Sequence, residues 1–317
     1  MTIGRGVLDK EGFIVRNTAV SVRSTAATRL PGRGRGRGRT TRGAVVAALG
    51  AVTLMVVMVV MSGGPASAKA PRRLPADLAP FAHCPIDVHG VTACLFSSTT
   101  STTFQIGSTT VSSTSPTTVS LGLITAATGA VTAVLPDDGS PALQTAAIAL
   151  PGGLTGISGL DGGVLAVSVT PQLVGVPGVN LGNLLSGNGP GLTLPIDVLI
   201  STPSGVLGSG CTIADAADPI MLDLTTGTTD PPAPATPVSG SPGTLTSSDD
   251  GLLTITGMKL VDNAFAVPTA DNCGPGSLAD EVLDVDKGLP SAAGSNSAVL
   301  AGSSETAPSK LIRKYLR

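Results

Sequence analysis

The stretch Leu192-Thr-Leu-Pro-Ile-Asp-Val-Leu-Ile200 decides the fold class of this chain. Its apolar side chains recur at every second position, and polar residues or proline stand between them. Successive side chains of a β-strand point to opposite faces, so this period of two predicts a strand with one face in a core. Proline lacks the N–H group that a β-ladder uses, so we expect an edge strand or a bulge at Pro195.

The same alternation predicts further strands, at 119–123, 131–135, 220–225 and 253–256. The mixed apolar run at 164–169 favours a central strand, and 104–111 favours two strands joined by a turn at Gly107. One short helix is predicted over 278–287, with Ser277 as its cap. We therefore predict an all-β fold, a single β-sandwich-like domain with long loops, preceded by a hydrophobic export or anchor helix.

That helix is predicted at 44–61, an 18-residue stretch without a charge. A basic segment precedes it, and Gly-Gly-Pro and the small residues Ala66 and Ala68 follow, which is the order of a secretory signal. We expect cleavage between Ala68 and Lys69. The stretch also reaches the lower limit for a membrane span, so an uncleaved signal anchor is the alternative. Either reading predicts a protein exported across the cytoplasmic membrane, secreted or at the cell surface.

The remaining boundaries follow from composition. We expect a basic segment at 1–43, the signal peptide or anchor at 44–68, a linker at 69–80, the β domain at 81–303 and a basic flexible tail at 304–317. A Pro-, Ser- and Thr-rich segment at 230–248 resembles a linker. It lies between Cys211 and Cys273, however, so a bond between these cysteines would make it a loop within one domain.

The charges are unevenly distributed along the chain. Residues 1–68 contain ten Lys or Arg and two acidic residues, and there is no Lys or Arg between Arg73 and Lys259. This long stretch without cations has no groups to neutralise phosphates, which argues against nucleic-acid binding. We expect a partner in the cell envelope or outside the cell, and membrane contact only through 44–61 if this stretch is uncleaved.

All four cysteines follow the export segment, and an even number in an exported chain favours disulfides. Cys84 and Cys94 flank a short turn-forming stretch, so we pair them, which leaves Cys211 with Cys273. The alternative is a metal site that uses the crowded set His83, Cys84, Asp87, His89 and Cys94. Its spacing matches no common zinc pattern, so we expect disulfides and neither a metal nor a cofactor.

Several short segments carry a resemblance to known proteins. They are His83-Cys-Pro, Val91-Thr-Ala-Cys94, Phe104-Gln-Ile-Gly-Ser-Thr-Thr-Val111, Leu192-Thr-Leu-Pro-Ile196, Gly210-Cys-Thr-Ile213, Leu224-Thr-Thr-Gly-Thr228, Ser247-Ser-Asp-Asp-Gly251 and Val261-Asp-Asn-Ala-Phe-Ala-Val267. Together they resemble a family of exported actinobacterial proteins over about residues 80–300. The resemblance implies export and a single domain, and it supplies no activity and no catalytic residue.

Catalytic chemistry has few candidate residues. A Ser-His-Asp hydrolase would have to use His83 or His89, and no G-x-S-x-G motif is present. The Asp-Asp-Gly sequences at 137–139 and 249–251 are typical of turns. The carboxylates Asp280, Glu281, Asp284 and Asp286 lack the spacing of a calcium loop, so we expect a solvated helix face.

We therefore expect an exported or cell-surface protein without catalytic chemistry, in a structural or surface-interaction role. An envelope carrier for an apolar ligand is the alternative, because Leu, Val and Ile are abundant and aromatic residues are few. A secreted hydrolase is the remote alternative. A cavity of several hundred cubic ångströms lined by aliphatic side chains would favour the carrier.

Overall fold

The computed structural model describes residues 74–156 and 162–316, which form two antiparallel sheets. The expected export helix and the cleavage site at Ala68 and Lys69 lie outside these residues. The strands are β1 (Ala93–Ile106), β2 (Thr109–Ser113), β3 (Thr118–Thr125), β4 (Val131–Val134), β5 (Leu143–Gln144), β6 (Ile148–Ala149), β7 (Ser168–Leu173), β8 (Gly178–Val179), β9 (Leu192–Ser201), β10 (Thr212–Ile213), β11 (Ile220–Leu224), β12 (Thr244–Ser247), β13 (Leu253–Asp262), β14 (Ala270–Asp271) and β15 (Ser297–Pro308).

The first sheet has the order β12-β13-β15-β1-β3-β4, with β2 also paired to β1 and β5 to β3. The second has the order β14-β10-β9-β7-β6, with β8 and β11 also paired to β9. Within residues 74–156 and 162–316, three α-helices accompany the sheets: α1 (Leu181–Ser186), α2 (Asp280–Lys287) and α3 (Ser309–Leu316). The predicted all-β class and the two-sheet arrangement are confirmed.

The main core lies between the sheets. The five apolar residues of the opening stretch are buried there: Leu192, Leu194, Ile196, Val198 and Ile200. They share one cluster with inward residues of the first sheet, among them Leu95, Leu121 and Leu300. Burying each such side chain stabilises the fold by about 2 kcal/mol. The alternation of apolar residues along the sequence therefore stabilises the fold, because it places these five side chains on the buried face of the strand.

Strand β9 lies in the middle of its sheet, so the prediction of an edge or bulged strand is wrong. Strands β7 and β8 pair with one side of β9, and β10 and β11 with the other. Pro195 is tolerated because its missing N–H faces the gap between β7, which ends at Leu173, and β8, which begins at Gly178. In that gap, the Val174 N–H donates to the Pro195 carbonyl at 3.0 Å. The ring also packs on Gly175, where a Cβ would lie 2.9 Å from the Pro195 Cγ.

A second core covers the outer face of the first sheet. A 3-10 turn at Ala76–Phe81 buries Leu78 and Phe81, and α3 buries Leu311 and Ile312 in the same cluster. This cover explains why β3 is buried on both faces from Val119 to Leu123 and not on one alone. Gly122 is required there, since a Cβ would lie 2.7 Å from the Pro85 Cγ.

The C-terminal residues are part of the fold. In place of the flexible tail expected at 304–317, β15 continues to Pro308 between β1 and β13, and α3 follows directly. The linker expected at 69–80 likewise contains the ordered turn Ala76–Phe81. Both ends of the described chain are held because their apolar side chains cover the first sheet.

Three local predictions need correction. The central strand expected at 164–169 begins only at Ser168, because a 3-10 turn with a left-handed Gly163 occupies Gly163–Leu165. Ser277 does not cap α2; it has φ +59° and lies in the preceding turn. The segment 230–248 contains strand β12, and Ser241 bridges to Lys259 of β13. All described residues belong to one compact unit.

Candidate functional site

Chemically distinctive side chains lie at the two ends of the sandwich. Strand β1 runs between these ends, from Ala93 to Ile106, a length of about 40 Å at 3.3 Å per residue. What we call the α3 end contains the Cys84–Cys94 bond, the turn Ala76–Phe81 and α3. What we call the α2 end contains the Cys211–Cys273 bond and α2, whose Lys287 carbonyl accepts the Ser108 N–H just beyond β1.

Both disulfides have the expected pairing. Cys84 is bonded to Cys94 with a Cα–Cα distance of 5.9 Å, and Cys211 to Cys273 with a distance of 4.3 Å. The bonded sulfurs of Cys84 and Cys94 are not available as thiolate ligands. Among the described residues, no group of three or more His, Cys, Asp or Glu side chains could hold a metal ion.

His83 forms a polar cluster with the turn between β4 and β5. Its Nδ1 lies 2.7 Å from Asp138 Oδ2 and 2.9 Å from Ser140 Oγ. The Ser140 N–H donates to Asp138 Oδ1 at 2.9 Å. The hydrogen bond with His83, followed by that from the Ser140 N–H, lowers the pKa of Asp138 to about 2. The second Asp-Asp-Gly turn, at 249–251, is exposed and distant in sequence.

This cluster has the residue types of a hydrolase triad in a different arrangement. A triad histidine binds the carboxylate through Nδ1 and the nucleophile through Nε2. Here Asp138 and Ser140 both contact Nδ1 of His83, so Nε2 is not aligned to take a proton from Ser140.

The recess beside the cluster, about 430 Å3 in volume, is bounded by Asp87 and Arg313 among others. Arg313 donates to the Ile86 carbonyl, and His89 is exposed.

An apolar gap lies between the two sheets. It consists of cavities of about 70 Å3 and 40 Å3 that share Phe104, Ile148, Pro171, Ile196 and Leu222 in their walls. An apolar cavity of about 150 Å3 accommodates a single benzene. The gap has the aliphatic lining that a carrier would need. Its volume, however, is below the several hundred cubic ångströms that would favour a carrier.

Lys287 lies at the α2 end of this gap. Its side chain is only 9 % exposed, and its Nζ lies 2.6 Å from Asp286 Oδ2. A buried ammonium loses its hydration, so a carboxylate at this distance offsets much of the cost. The last residue of α2 is therefore a lysine that points inward.

The carboxylates of α2 are more than a solvated face, which corrects the sequence prediction. Asp280 Oδ1 accepts the Cys273 N–H at 2.7 Å, and Asp284 Oδ1 accepts the Ala270 N–H at 2.8 Å. These bonds hold α2 against β14 and the Cys211–Cys273 bond. Glu281 and Asp286 lie instead beside an open surface groove.

The apolar side chains of α2 point mostly outward. Leu278 and Val285 are each 79 % exposed and Val282 is 58 % exposed, whereas Leu283 is buried. We call Val282 and Val285 of α2, together with Leu278 just before the helix, the α2 ridge. Sequence reasoning missed it, although the spacing of these residues within the predicted helix 278–287 was visible. Single exposed apolar residues need no explanation, whereas these neighbouring side chains form a small apolar surface beside the groove.

Comparisons with protein-family models, with curated protein sequences and with solved structures find no match to this chain. Within the part of the chain that the structure describes, no helix has the length and hydrophobicity to cross a membrane. The two disulfides are compatible with an extracellular or exported protein, because such bonds persist in oxidising compartments.

Proposed function

We propose that this chain is an exported, non-catalytic β-sandwich that acts at the cell surface by binding another protein through the α2 ridge. The observation that carries the proposal is that α2 exposes apolar side chains and buries a charged one. Its valines at 282 and 285 face solvent, while its lysine at 287 is buried. A valine that faces solvent does not contribute the free energy that its burial against a sheet would give.

The surroundings of the ridge define the chemistry of its partner. Glu281 and Asp286 line the same groove as Val282, Val285 and Leu154. Asp286 is already paired with Lys287, so Glu281 is the carboxylate that a partner can meet, which favours a partner with apolar side chains beside a cation. A second copy of the chain would instead place acidic residues opposite acidic residues, which disfavours self-association through this face.

The non-catalytic part of the proposal is supported by the geometry of His83. The one cluster with hydrolase residue types among the described residues holds Asp138 and Ser140 on the same ring nitrogen. That arrangement stabilises a turn and does not deprotonate the serine. Hydrolysis of a model ester by the purified protein, abolished by His83→Ala, would contradict this part.

A carrier for an apolar ligand is the alternative proposal. It is favoured by the aliphatic gap between the sheets and requires the sheets to separate, because the present cavities are small. Native mass spectrometry of the protein purified from cells that make it distinguishes the two. A stoichiometric lipid that is lost on Leu222→Arg would favour the carrier.

Site-specific photo-crosslinking on intact cells tests the ridge. A photoreactive residue at position 282 in the full chain should give one discrete protein adduct. The matched control places the same residue at Leu245, which is 47 % exposed on β12, far along the chain from α2. The adduct should disappear with Val285→Asp and persist with Leu245→Asp. No adduct from position 282, or the same adducts from both positions, would overturn the proposal.

A further inference from the structure

The cations of the folded body are concentrated on α3. Among the described residues there are five Lys or Arg, and three of them are Lys310, Arg313 and Lys314. The other two are Lys259 on β13, which is half-buried, and Lys287, which is buried beside Asp286. On a body that is otherwise acidic, α3 is therefore the place where exposed positive charge accumulates.

The exposed face of α3 combines this charge with apolar and aromatic groups. Leu311 and Ile312 are buried in the second core, while Lys310 and Lys314 lie one turn apart on the solvent side. Lys314 Nζ is 5.4 Å from the centre of the Tyr315 ring, and Leu316 is 45 % exposed. Within the described part of the chain, neither lysine has a carboxylate within 4 Å.

The carboxylates at this end lie outside α3, and they include Glu305 on β15 and Asp249 and Asp250 in the turn whose Gly251 lies against Pro308. Asp87, Asp137 and Asp138 border the His83 recess, where Asp138 is paired with His83, and Asp77 lies on the turn Ala76–Phe81. The residues of α3 that border this recess are Arg313 and Leu316. Lys310 and Lys314 are therefore free to meet an external anion.

The described chain also begins at this end. Leu74 packs on the same cluster as Leu311, Ile312 and Tyr315. Residues 62–73 separate it from the apolar stretch 44–61, and twelve residues span at most about 40 Å. Lys69, Arg72 and Arg73 add positive charge to that short connection. In sequence order, a short basic segment therefore connects the α3 end to residues 44–61, which are a membrane anchor if this stretch is uncleaved.

From these observations we infer that the exposed face of α3 binds the anionic headgroups of a lipid bilayer. Lysines are attracted to the phosphates of such a surface, and a tyrosine beside an exposed leucine suits the boundary between water and acyl chains. This places the α3 end toward the membrane and the α2 ridge away from it. The inference rests on α3 alone and not on the proposed function of the ridge.

Tyr315 provides a direct measurement, because it is the only tyrosine of the chain and there is no tryptophan. The full chain is mixed with vesicles of brominated phosphatidylglycerol or brominated phosphatidylcholine, whose bromines quench fluorescence on contact. We expect quenching of Tyr315 with phosphatidylglycerol, reduced by added salt, and little with phosphatidylcholine. Equal quenching by both lipids, or by neither, would overturn the inference, whether or not residues 44–61 insert.

Two variants test whether binding depends on the lysines of α3 or only on the total charge of the protein. Each lysine near an anionic surface contributes about fivefold in affinity, so Lys310→Gln with Lys314→Gln should weaken binding about 25-fold. The matched control Lys259→Gln removes a cation from β13 and should leave binding unchanged. An equal loss in the control would overturn the inference. So would binding of soluble polyphosphate as tight as that of phosphatidylglycerol vesicles, measured by competition for the quenching of Tyr315, since the ligand would then be any polyanion.

Discussion

Helices α2 and α3 each have eight residues and close opposite ends of the same sandwich, yet they are held in different ways. Helix α3 buries Leu311 and Ile312 over the first sheet and leaves its lysines in water. Helix α2 buries Leu283, and the carboxylates of Asp280 and Asp284 accept hydrogen bonds from backbone N–H groups that help to hold it in place. Polar anchoring leaves the valines of α2 outside, where a partner can reach them.

The largest expected effect concerns the disulfide that each end contains. Replacing Cys211 and Cys273 with alanine should cost about 4 kcal/mol of unfolding free energy, because the bond closes a long loop in the unfolded chain. The same change at Cys84 and Cys94 should cost about 3 kcal/mol, since that loop is short. Denaturant unfolding of both double variants measures the difference. A larger cost at the Cys84–Cys94 bond would mean that the α3 end depends more on its cross-link than on its core.

The next effect compares one aliphatic side chain from each helix. Ile312→Ala should cost about 3 kcal/mol of unfolding free energy, because Ile312 is fully buried in the second core. Val285→Ala should change it by less than about 0.5 kcal/mol, because Val285 faces water. Thermal and denaturant unfolding report both values. A cost above about 1 kcal/mol for Val285→Ala would show that the α2 ridge is covered within the folded chain.

The smallest effect concerns the polar cluster at the α3 end. His83→Ala should raise the pKa of Asp138 from about 2 toward its ordinary value of 3.8, because the hydrogen bond with His83 is the main cause of the shift. The control Ser140→Ala keeps the backbone N–H bond to Asp138 and should raise it less. Carboxyl NMR titration measures both. If the pKa of Asp138 is unchanged in His83→Ala, the hydrogen bonds from Ser140 are the main cause of the lowered pKa.

The sign of the related stability change follows from the same shift. A lowered pKa means that folding favours the ionised Asp138, so this contribution is present above about pH 4 and is lost as the pH falls toward 2. Because Asp138 is exposed to solvent, the contribution is small. His83→Ala should therefore flatten the stability profile slightly between these pH values, and the small loss of unfolding free energy should persist up to neutral pH.

The fold class and the local pattern follow from the amino-acid sequence alone. The period of two at 192–200 is a property of neighbouring residues, and the buried face of β9 follows from it without knowledge of its partners. The separation of the cysteines likewise favoured the two pairings that the structure contains. These predictions hold because strand geometry and loop closure depend on spacing along the chain.

Which strands are central and which side chains meet depends on pairings between distant segments of the chain. Cys94 pairs with Ala307 across more than two hundred residues, and this pairing turned the expected tail into a central strand. His83 meets Asp138 for the same reason, as the sheet places the turn after β4 beside it. Pro195 lies in a central strand because a gap between two neighbouring strands faces it. Local spacing assigns a side chain to a face of its strand or helix, but whether that face is covered depends on distant segments of the chain.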